Sequence, residues 1–451
     1  MRFTLPESRR GVLAWLALLV FACYFNALFG AFQFDDYKVI VDYPGVHSWD
    51  AWRDKLGHGI RPLLKFSYTL NWTSGLGVAG FHLTNLLIHL CNAYLVYRLA
   101  GEFVRAQPLR ERLKNVPLFT ALLFAAHPVH TEAVTYICGR SISLMTLFYL
   151  AGMLAYATGR TQHSKPHLHV LVPVLFAIAL SVKETAVTFP FALLAWELGC
   201  GSTWRASLKR QWTSWAVLLL GALFFLFNDS YLEQMERSAG FKSLQGNMAT
   251  QASAFAYLLR QWLFPFWLNI DPEFQVVHGF AGVMPQIFLL AAVFILMLCT
   301  LRRRPWLGFG LAWALIQLLP LYLLLPRLDV ANDRQMYLVS WPLLLACVAE
   351  LSIRLQRRTF VLAGAALVLA LGAVTVLRNQ DYQNEISLWE KTVTQSPGKA
   401  RVHNNLGYAY MLDGRNGDAR REFAAALKIE PGHIKARYNL LRLESEAAQL
   451  P

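Results

Sequence analysis

The chain has 451 residues, of which 55% are apolar, 13% aromatic and only 16% charged, with a mean hydropathy of +0.35. This composition excludes an ordinary soluble domain and is typical of a membrane protein. The net charge of +14 does not indicate nucleic-acid binding, because the lysines and arginines sit at the ends of apolar segments, as the positive-inside rule expects. The six cysteines form no CxxC pair and lie in or beside apolar runs, which predicts buried thiols and no disulfide or zinc site.

Apolar runs of membrane-spanning length recur along the first 378 residues. A helical span needs about 20 apolar residues. The first run follows three arginines and is long enough to stay in the bilayer, so we interpret it as a span and not as a cleaved signal. We predict eleven spans, near residues 12–32, 81–104, 116–131, 139–158, 167–182, 184–199, 212–228, 284–301, 306–325, 335–351 and 359–378.

The cations between these spans predict the orientation. With a cytoplasmic N-terminus, every cation-rich loop falls on the cytoplasmic side, provided that the apolar piece 252–268, which contains Pro265, lies at the interface without crossing. The C-terminus then lies outside the cytoplasm. The five loops carry Arg105, Arg110, Arg112 and Lys114; Arg160 and Lys165; Arg205, Lys209 and Arg210; Arg302, Arg303 and Arg304; and Arg354, Arg357 and Arg358.

The soluble tail after residue 378 contains one 34-residue period, 400–433, with small and aromatic residues at the spacing of a TPR repeat. Segments 384–396 and 434–448 read as helices on either side of it. The tail has fewer than the roughly three repeats that fold independently, so we expect it to pack against the membrane domain or a partner protein. It is either a stabilising cap or a groove for a peptide or protein.

Two adjacent carboxylates, Asp35 and Asp36, directly follow the first span. Ionising both at an apolar boundary is costly, so one of them can remain basic enough to deprotonate a hydroxyl. The structural alternative is a loop start or a helix cap. In the same outer loop, residues 33–80, Arg61 precedes a predicted interfacial helix over 62–72. Further on, His82 shares one helix face with Asn85 and His89.

The segment HPVHTE places His127, His130 and Glu132 in a turn, with Arg140 soon after. These ligand types, together with Asp36, can hold a divalent cation, but the spacing is not HExxH. Hydrogen bonding to substrate and a purely structural turn are the alternatives. We predict no cofactor beyond this possible metal.

Cations that fit phosphate lie in two other outer segments. Lys183 and Glu184 occupy a hairpin between spans, where a phosphate contact competes with a simple ion pair. Arg327, Arg334 and Tyr337 lie around the last outer loop, where anchoring to lipid headgroups is the alternative. Acids and cations on one membrane face suit transfer from a donor whose leaving group is a lipid phosphate. No nucleotide-binding glycine motif accompanies them.

Ordered motifs across nearly the whole chain resemble the transmembrane and TPR-containing O-mannosyltransferase family. They include FQFDDYKVI, GFHLTNLLIHL, LLFAAHPVHTEAV, SVKETAVTFPF and NDRQMYLVSW. The resemblance implies an all-α polytopic GT-C glycosyltransferase fold with about eleven spans and a polyprenyl- or dolichyl-phosphate sugar donor. It also carries the family's loop acid onto Asp35 or Asp36. The family's HPxHTE stretch corresponds to His127, His130 and Glu132, its Lys-Glu pair to Lys183 and Glu184, and its later arginine to Arg334, with Tyr337 beside it. The short tail suggests a bacterial inner-membrane member.

We therefore expect a transmembrane catalytic domain over 1–378 and a periplasmic TPR-like domain over 379–451. The predicted activity is inverting transfer of mannose or another hexose from a polyprenyl-phosphate donor to a hydroxyl of a protein or glycan. Asp35 is the expected base, and Arg334 and Lys183 are expected to hold the phosphate. The partners are then the lipid-linked donor, membrane lipids and an acceptor protein that the TPR helices can recruit, with no nucleic acid. An oligosaccharide block transferase with a pyrophosphate-linked donor and a non-enzymatic scaffold or transporter are the alternatives.

Overall fold

The structure is a computed structural model that describes residues 6, 8–56, 60–229, 232–233, 244–274, 277, 279–319 and 329–448. The described residues form helices and connecting turns with no β-strand, which confirms the all-α prediction. The α-helices are α1 (Arg9–Tyr24), α2 (Trp49–Asp54), α3 (Pro62–Thr73), α4 (Gly77–Arg105), α5 (Val116–Ala126), α6 (Thr131–Val134), α7 (Arg140–Thr161), α8 (Val172–Val182), α9 (Phe189–Gly199), α10 (Trp204–Arg210), α11 (Trp212–Leu226), α12 (Leu244–Leu263), α13 (Met284–Thr300), α14 (Pro305–Leu318), α15 (Met336–Arg354), α16 (Arg357–Gln380), α17 (Glu385–Gln395), α18 (Ala400–Leu412), α19 (Asn416–Ile429) and α20 (Ile434–Ala448). Short 3-10 or π-helical turns cover Phe25–Phe29, Tyr37–Val41, Pro44–Val46, Pro128–His130, Ile137–Gly139, His167–Leu171, Glu184–Thr188, Phe280–Val283 and Asp333–Gln335.

Each predicted span overlaps a helix, and the predicted interfacial helix over 62–72 is α3. Within the described residues, five helical segments are long and apolar enough to cross a membrane, which supports a membrane protein. The number that crosses stays a prediction. Several helices at the other predicted spans are shorter than a full span. Helix α5, for example, ends at Ala126 because His127 is extended before Pro128. The five segments are Arg9–Phe29, Ile137–Thr161, Phe280–Thr300, Asp333–Arg354 and Arg357–Gln380.

Apolar side chains on the outside of the bundle are consistent with a lipid environment. Phe288 on α13 is 66% exposed and Leu369 on α16 is 72% exposed, although both are large and apolar. The centre is close-packed instead, with Phe309, Trp313 and Trp341 buried and their ring centroids 5.3–5.6 Å apart. Large apolar side chains are expected on the outer surface of a helix bundle that lipid surrounds in place of water.

Three of the five cation-rich loops meet at one end of the bundle. Arg160 and Arg210 both pair with the buried carboxylate of Glu197, at 3.3 and 2.9 Å. At the start of the 106–115 loop, the Gln107 side chain donates to the carbonyl of Gly199, two residues further along α9. The loops after α4, α7 and α10 are therefore neighbours.

The other two cation-rich loops join the same end. The Ser352 hydroxyl donates to the carbonyl of Arg112 at 2.7 Å, so the loop after α15 touches the loop after α4. Arg304 and Arg354 both pair with Glu350 near the end of α15. All five loops thus lie together, as the predicted orientation requires, while the side of the membrane that they face stays a prediction.

The tail consists of antiparallel helices that follow α16 after a short turn. Helices α18 and α19 pack closely because Gly407 faces Phe423: a Cβ on this glycine would lie 2.8 Å from the phenylalanine ring. The turn between them contains Gly414 in the left-handed region, with φ +77°. The helices match the predicted segments, and the assignment as TPR repeats stays a prediction.

Candidate functional site

The carboxylate of Asp36 is buried and both of its oxygens accept backbone hydrogen bonds. Oδ2 accepts from the Gln33 amide at 3.0 Å and Oδ1 from the Cys138 amide at 2.8 Å. Burial raises the pKa of Asp36 to about 7, although these hydrogen bonds act in the opposite direction. Asp36 therefore connects the outer loop to the turn at Ile137–Gly139. Since both of its oxygens accept backbone hydrogen bonds, neither is available to a substrate.

Asp35 has the opposite character. Its side chain is partly exposed, and within the described residues its carboxylate makes no hydrogen bond or ion pair. Its backbone amide donates to the hydroxyl of Tyr136 at 3.1 Å, which fixes the direction of the chain at this point. The residue before it, Phe34, has φ +50°, a strained conformation for an aromatic residue. The loop thus presents one carboxylate while it buries its neighbour.

Arg334 lies beside this loop and is held by Glu132. One Glu132 oxygen accepts from the Arg334 backbone amide at 2.9 Å, and the other lies 3.4 Å from the Arg334 Nε. The guanidinium sits 6.0 Å from the Tyr136 ring centroid, and the charge of Asp35 interacts with it. The structure therefore brings Asp35, Glu132 and Arg334 together, with Tyr136 between them.

The histidines of the HPVHTE segment lie in the buried interior. His130 Nδ1 contacts the Phe124 carbonyl at 2.8 Å, and its ring lies 4.9 Å from the ring of Tyr337. His127 stacks on Trp262 at 6.0 Å. Tyr337 in turn hydrogen-bonds His89 at 2.7 Å. These side chains form an aromatic and hydrogen-bonded contact between helices.

A second group of predicted site residues meets around the N-terminus of α7. Arg61 pairs with Glu184 through two hydrogen bonds of 2.7 and 3.0 Å. Lys183 is 5% exposed, and its Nζ donates to the Ser141 hydroxyl at 3.2 Å. Arg140, fully buried, donates to the Asn85 side chain at 2.6 Å.

Further contacts of this second group are with backbone carbonyls. Arg140 also donates to the carbonyls of Phe81, at 2.8 Å, and Ser67, at 3.1 Å. His82 contacts the Gly30 carbonyl at 3.2 Å. The group connects α3, α4, α7 and the 184–188 turn, and it adjoins the first group at the 137–140 turn. Arg327 lies outside the described residues.

The tail contacts both loops of the site. On one side, the Phe34 amide donates to Glu385 at 2.9 Å and its ring packs on Trp389 with centroids 5.2 Å apart. The Ala31 amide donates to the carbonyl of Gln383 at 3.2 Å. Both contacts act on the strained segment that leads into Asp35.

On the other side, Arg401 bridges Asp271 and Asp329, with a distance of 2.6 Å to the latter, and Lys399 also pairs with Asp271. Burial alone would raise the pKa of Asp329, but Arg401 and neighbouring cations hold it below its ordinary value. Asp329 belongs to the loop that leads to Arg334. We define the contacts of Arg401 and Lys399 with these two acids as the tail clamp.

Two residues of the site were not selected from the sequence: Tyr136, and Arg378, whose charge interacts with Glu132. Arg378 lies two residues before the end of the last apolar helix, where an ionisable residue inside a span was the available signal. Tyr136 carried no signal, since tyrosine is common in any buried helix. Among the residues that the structure describes, no group of three or more His, Cys, Asp or Glu side chains could hold a metal ion. Asp36, His127, His130 and Glu132 do not assemble into such a group.

Fold and site together define a helical membrane protein with acids and arginines from four separate segments gathered at the end opposite its cationic loops. No family model matches the chain, and no solved structure matches it significantly. The chain is similar to curated protein O-mannosyl-transferases.

The relatives include F38B6.6 of Caenorhabditis elegans, 26% identical over 95% of this chain and 64% of the relative. TMTC3 of Mus musculus is 24% identical over 94% of this chain and 52% of its own length. TMTC1 of Homo sapiens is 25% identical over 98% of this chain and 59% of its own length. The chain thus spans between half and two thirds of these relatives, and the resemblance to an O-mannosyltransferase-like family is confirmed.

Proposed function

We propose that the chain is a membrane glycosyltransferase that moves a mannosyl residue from a polyprenyl-phosphate donor to a hydroxyl of a protein on the non-cytoplasmic face. The observation that carries the proposal is the open carboxylate of Asp35 beside Arg334, which Glu132 holds in place. The names of the relatives support the sugar and the protein acceptor. The position of the site, opposite the cationic loops, supports the non-cytoplasmic face.

In the proposed reaction, the acceptor hydroxyl oxygen attacks the anomeric carbon of the sugar. The bond from that carbon to the phosphate oxygen breaks, and its electron pair leaves with the polyprenyl phosphate. Asp35 takes the hydroxyl proton, because its carboxylate is partly exposed, has no partner among the described residues and lies near the charge of Arg334. A single displacement of this kind inverts the anomeric configuration.

Arg334 stabilises the charge that develops on the departing phosphate. Its side chain is 18% exposed, so part of the guanidinium can reach a ligand while Nε stays near Glu132. Asp36 acts as a positioning residue for the base, because both of its oxygens are used by backbone amides. Arg61 and Lys183 belong to the neighbouring second group, where they contact Glu184 and Ser141.

The test compares Asp35→Asn with Asp50→Asn in the full-length chain in nanodiscs. Asp50 is an exposed carboxylate of the same outer loop, paired with Arg53 on helix α2. Transfer from radiolabelled polyprenyl-phosphate mannose to a Ser/Thr-rich peptide is measured. Loss of a general base lowers the rate by about 100- to 10,000-fold. We expect this for Asp35→Asn, with Asp50→Asn unchanged; equal activity in the two variants contradicts the assignment.

A further inference from the structure

A group of buried polar atoms without partners lies next to the proposed reaction centre, at the C-terminal end of α16. Arg378 is 8% exposed, and its Nη1 donates to Asp381 at 2.6 Å. Its Nε and Nη2 are buried and have no partner among the described residues. The ring of Tyr382 lies 5.2 Å from this guanidinium, and its buried hydroxyl also lacks a partner there. Two guanidinium nitrogens of Arg378 and the hydroxyl of Tyr382 are therefore neighbouring donors without a partner among the described residues.

A buried acceptor without a partner among the described residues lies within electrostatic range of Arg378. Asp333 is 1% exposed; its Oδ2 accepts from the Asn269 amide at 2.9 Å, while its Oδ1 is buried and unpartnered within the described chain. Asp333 and Arg378 interact electrostatically, yet these two described residues form no ion pair. Buried polar atoms are almost always hydrogen-bonded. Open donors and an open acceptor together therefore indicate a polar ligand.

This subsite adjoins the base and Arg334. The backbone carbonyl of Tyr382 accepts from the side chain of Gln33, two residues before Asp35, at 2.5 Å. Asp333 directly precedes Arg334 in the chain, and Glu132, the partner of Arg334, also interacts with the charge of Arg378. A ligand on Arg378 and Asp333 would thus lie beside the place where the anomeric carbon reacts.

The unpartnered donors of Arg378 and Tyr382 and the unpartnered acceptor of Asp333 determine which kind of ligand fits. The Nε and Nη2 of an arginine form a planar fork that donates to two oxygens. The phosphodiester of the donor would accept from this fork, but it carries no proton for the open oxygen of Asp333. Two neighbouring hydroxyls of a sugar ring can accept from the fork and donate to the carboxylate. We propose that Arg378, Asp333 and Tyr382 bind the ring hydroxyls of the donor hexose; this rests on the proposed function.

The test uses Asp333→Asn, which keeps one oxygen for the Asn269 amide but replaces the open acceptor by a donor, and Tyr382→Phe. Both are compared with Tyr410→Phe, which removes a hydroxyl bonded to Glu390 inside the tail. Hydrogen bonds to a charged group are strong enough to change binding by about 10- to 100-fold. We expect a rise of this size in the donor KM for Asp333→Asn, a smaller rise for Tyr382→Phe and a nearly unchanged kcat.

A second measurement separates this subsite from the activity itself. Binding of polyprenyl-phosphate mannose and of unglycosylated polyprenyl phosphate to nanodiscs is compared by competition. In the wild type the sugar should increase affinity, and in Asp333→Asn that increase should disappear while affinity for polyprenyl phosphate remains. If the wild type transfers mannose, but the sugar increases affinity equally in the wild type, Asp333→Asn and Tyr382→Phe, the subsite proposal alone is overturned. Water then occupies these atoms. A wild type that neither binds nor transfers the lipid-linked sugar overturns the proposed function.

Discussion

Replacing Arg401 by Met breaks the tail clamp at its centre. The guanidinium pairs with Asp271, whose side chain is only 4% exposed, and with Asp329, which is about one third exposed. Removing one partner of a buried ion pair costs about 3–5 kcal/mol when nothing else neutralises the remaining charge. Here Lys399 still pairs with Asp271, and the partly exposed contact to Asp329 adds under about 1 kcal/mol. We therefore expect a loss of about 2–3 kcal/mol.

The assay is thermal unfolding of the full-length chain in one detergent, followed by tryptophan fluorescence. For a chain of this length the loss corresponds to a fall in Tm on the order of 3–5 °C. Arg401→Lys keeps a cation but cannot contact both Asp271 and Asp329 as the guanidinium does, so its Tm should lie between those of wild type and Arg401→Met. The matched control is His403→Gln, since His403 pairs with Glu422 inside the tail and touches neither loop. A Tm of Arg401→Met equal to that of wild type refutes the reasoning.

Three further outcomes follow from the site and the tail. Because the pKa of Asp36 rises from an ordinary 3.8 to about 7, the folded chain holds this proton where the unfolded chain has lost it; stability should fall by about 4 kcal/mol as pH rises from about 4 to 7, of which about 3 kcal/mol falls above pH 5. Thermal unfolding between pH 5 and 8 checks this, and a slope unchanged in Asp36→Asn would contradict it. Glu132→Gln should lower transfer at least about 10-fold with a rise in donor KM, because Arg334 loses the carboxylate that holds it; kinetics indistinguishable from wild type would remove Glu132 from the site. Gly407→Val should unfold the α18–α19 pair, measured by protease sensitivity of the tail, since its Cβ meets the ring of Phe423; an intact, resistant tail would show that the helices can separate at no cost.

The positions of the helices were predictable because hydropathy is a local property. The outer helix predicted over 62–72 appears as Pro62–Thr73, and the tail helices follow the 34-residue pattern. The lengths were less predictable. The run predicted as a span over 116–131 divides at His127, where an extended residue before proline ends the helix.

The site was predictable as a set of segments but not as a set of contacts. Ionisable residues at the ends of apolar runs pointed to Asp35, Glu132 and Arg334, and the fold gathers them. The different states of Asp35 and Asp36 could not be derived from their identical chemistry. They depend on the Cys138 amide, which is about 100 positions away along the chain.

The contacts of the tail had no sequence signal at all. Phe34 and Glu385 are separated by about 350 residues, and each is unremarkable in its own segment. Arg378 likewise appeared as a cation at the end of an apolar run, where snorkelling to the interface is the common explanation. Its two open nitrogens become visible only when the burial of each atom is known.

The left-handed backbone of Phe34 has a practical consequence for dissecting the chain. An aromatic residue keeps φ near +50° only while its surroundings enforce it, and here Glu385 and Trp389 supply that enforcement. A fragment cut at residue 378 would let this torsion relax and turn the neighbouring aspartate away from its position. The smallest piece that can retain the geometry of the base therefore extends at least through Trp389, beyond the last apolar helix.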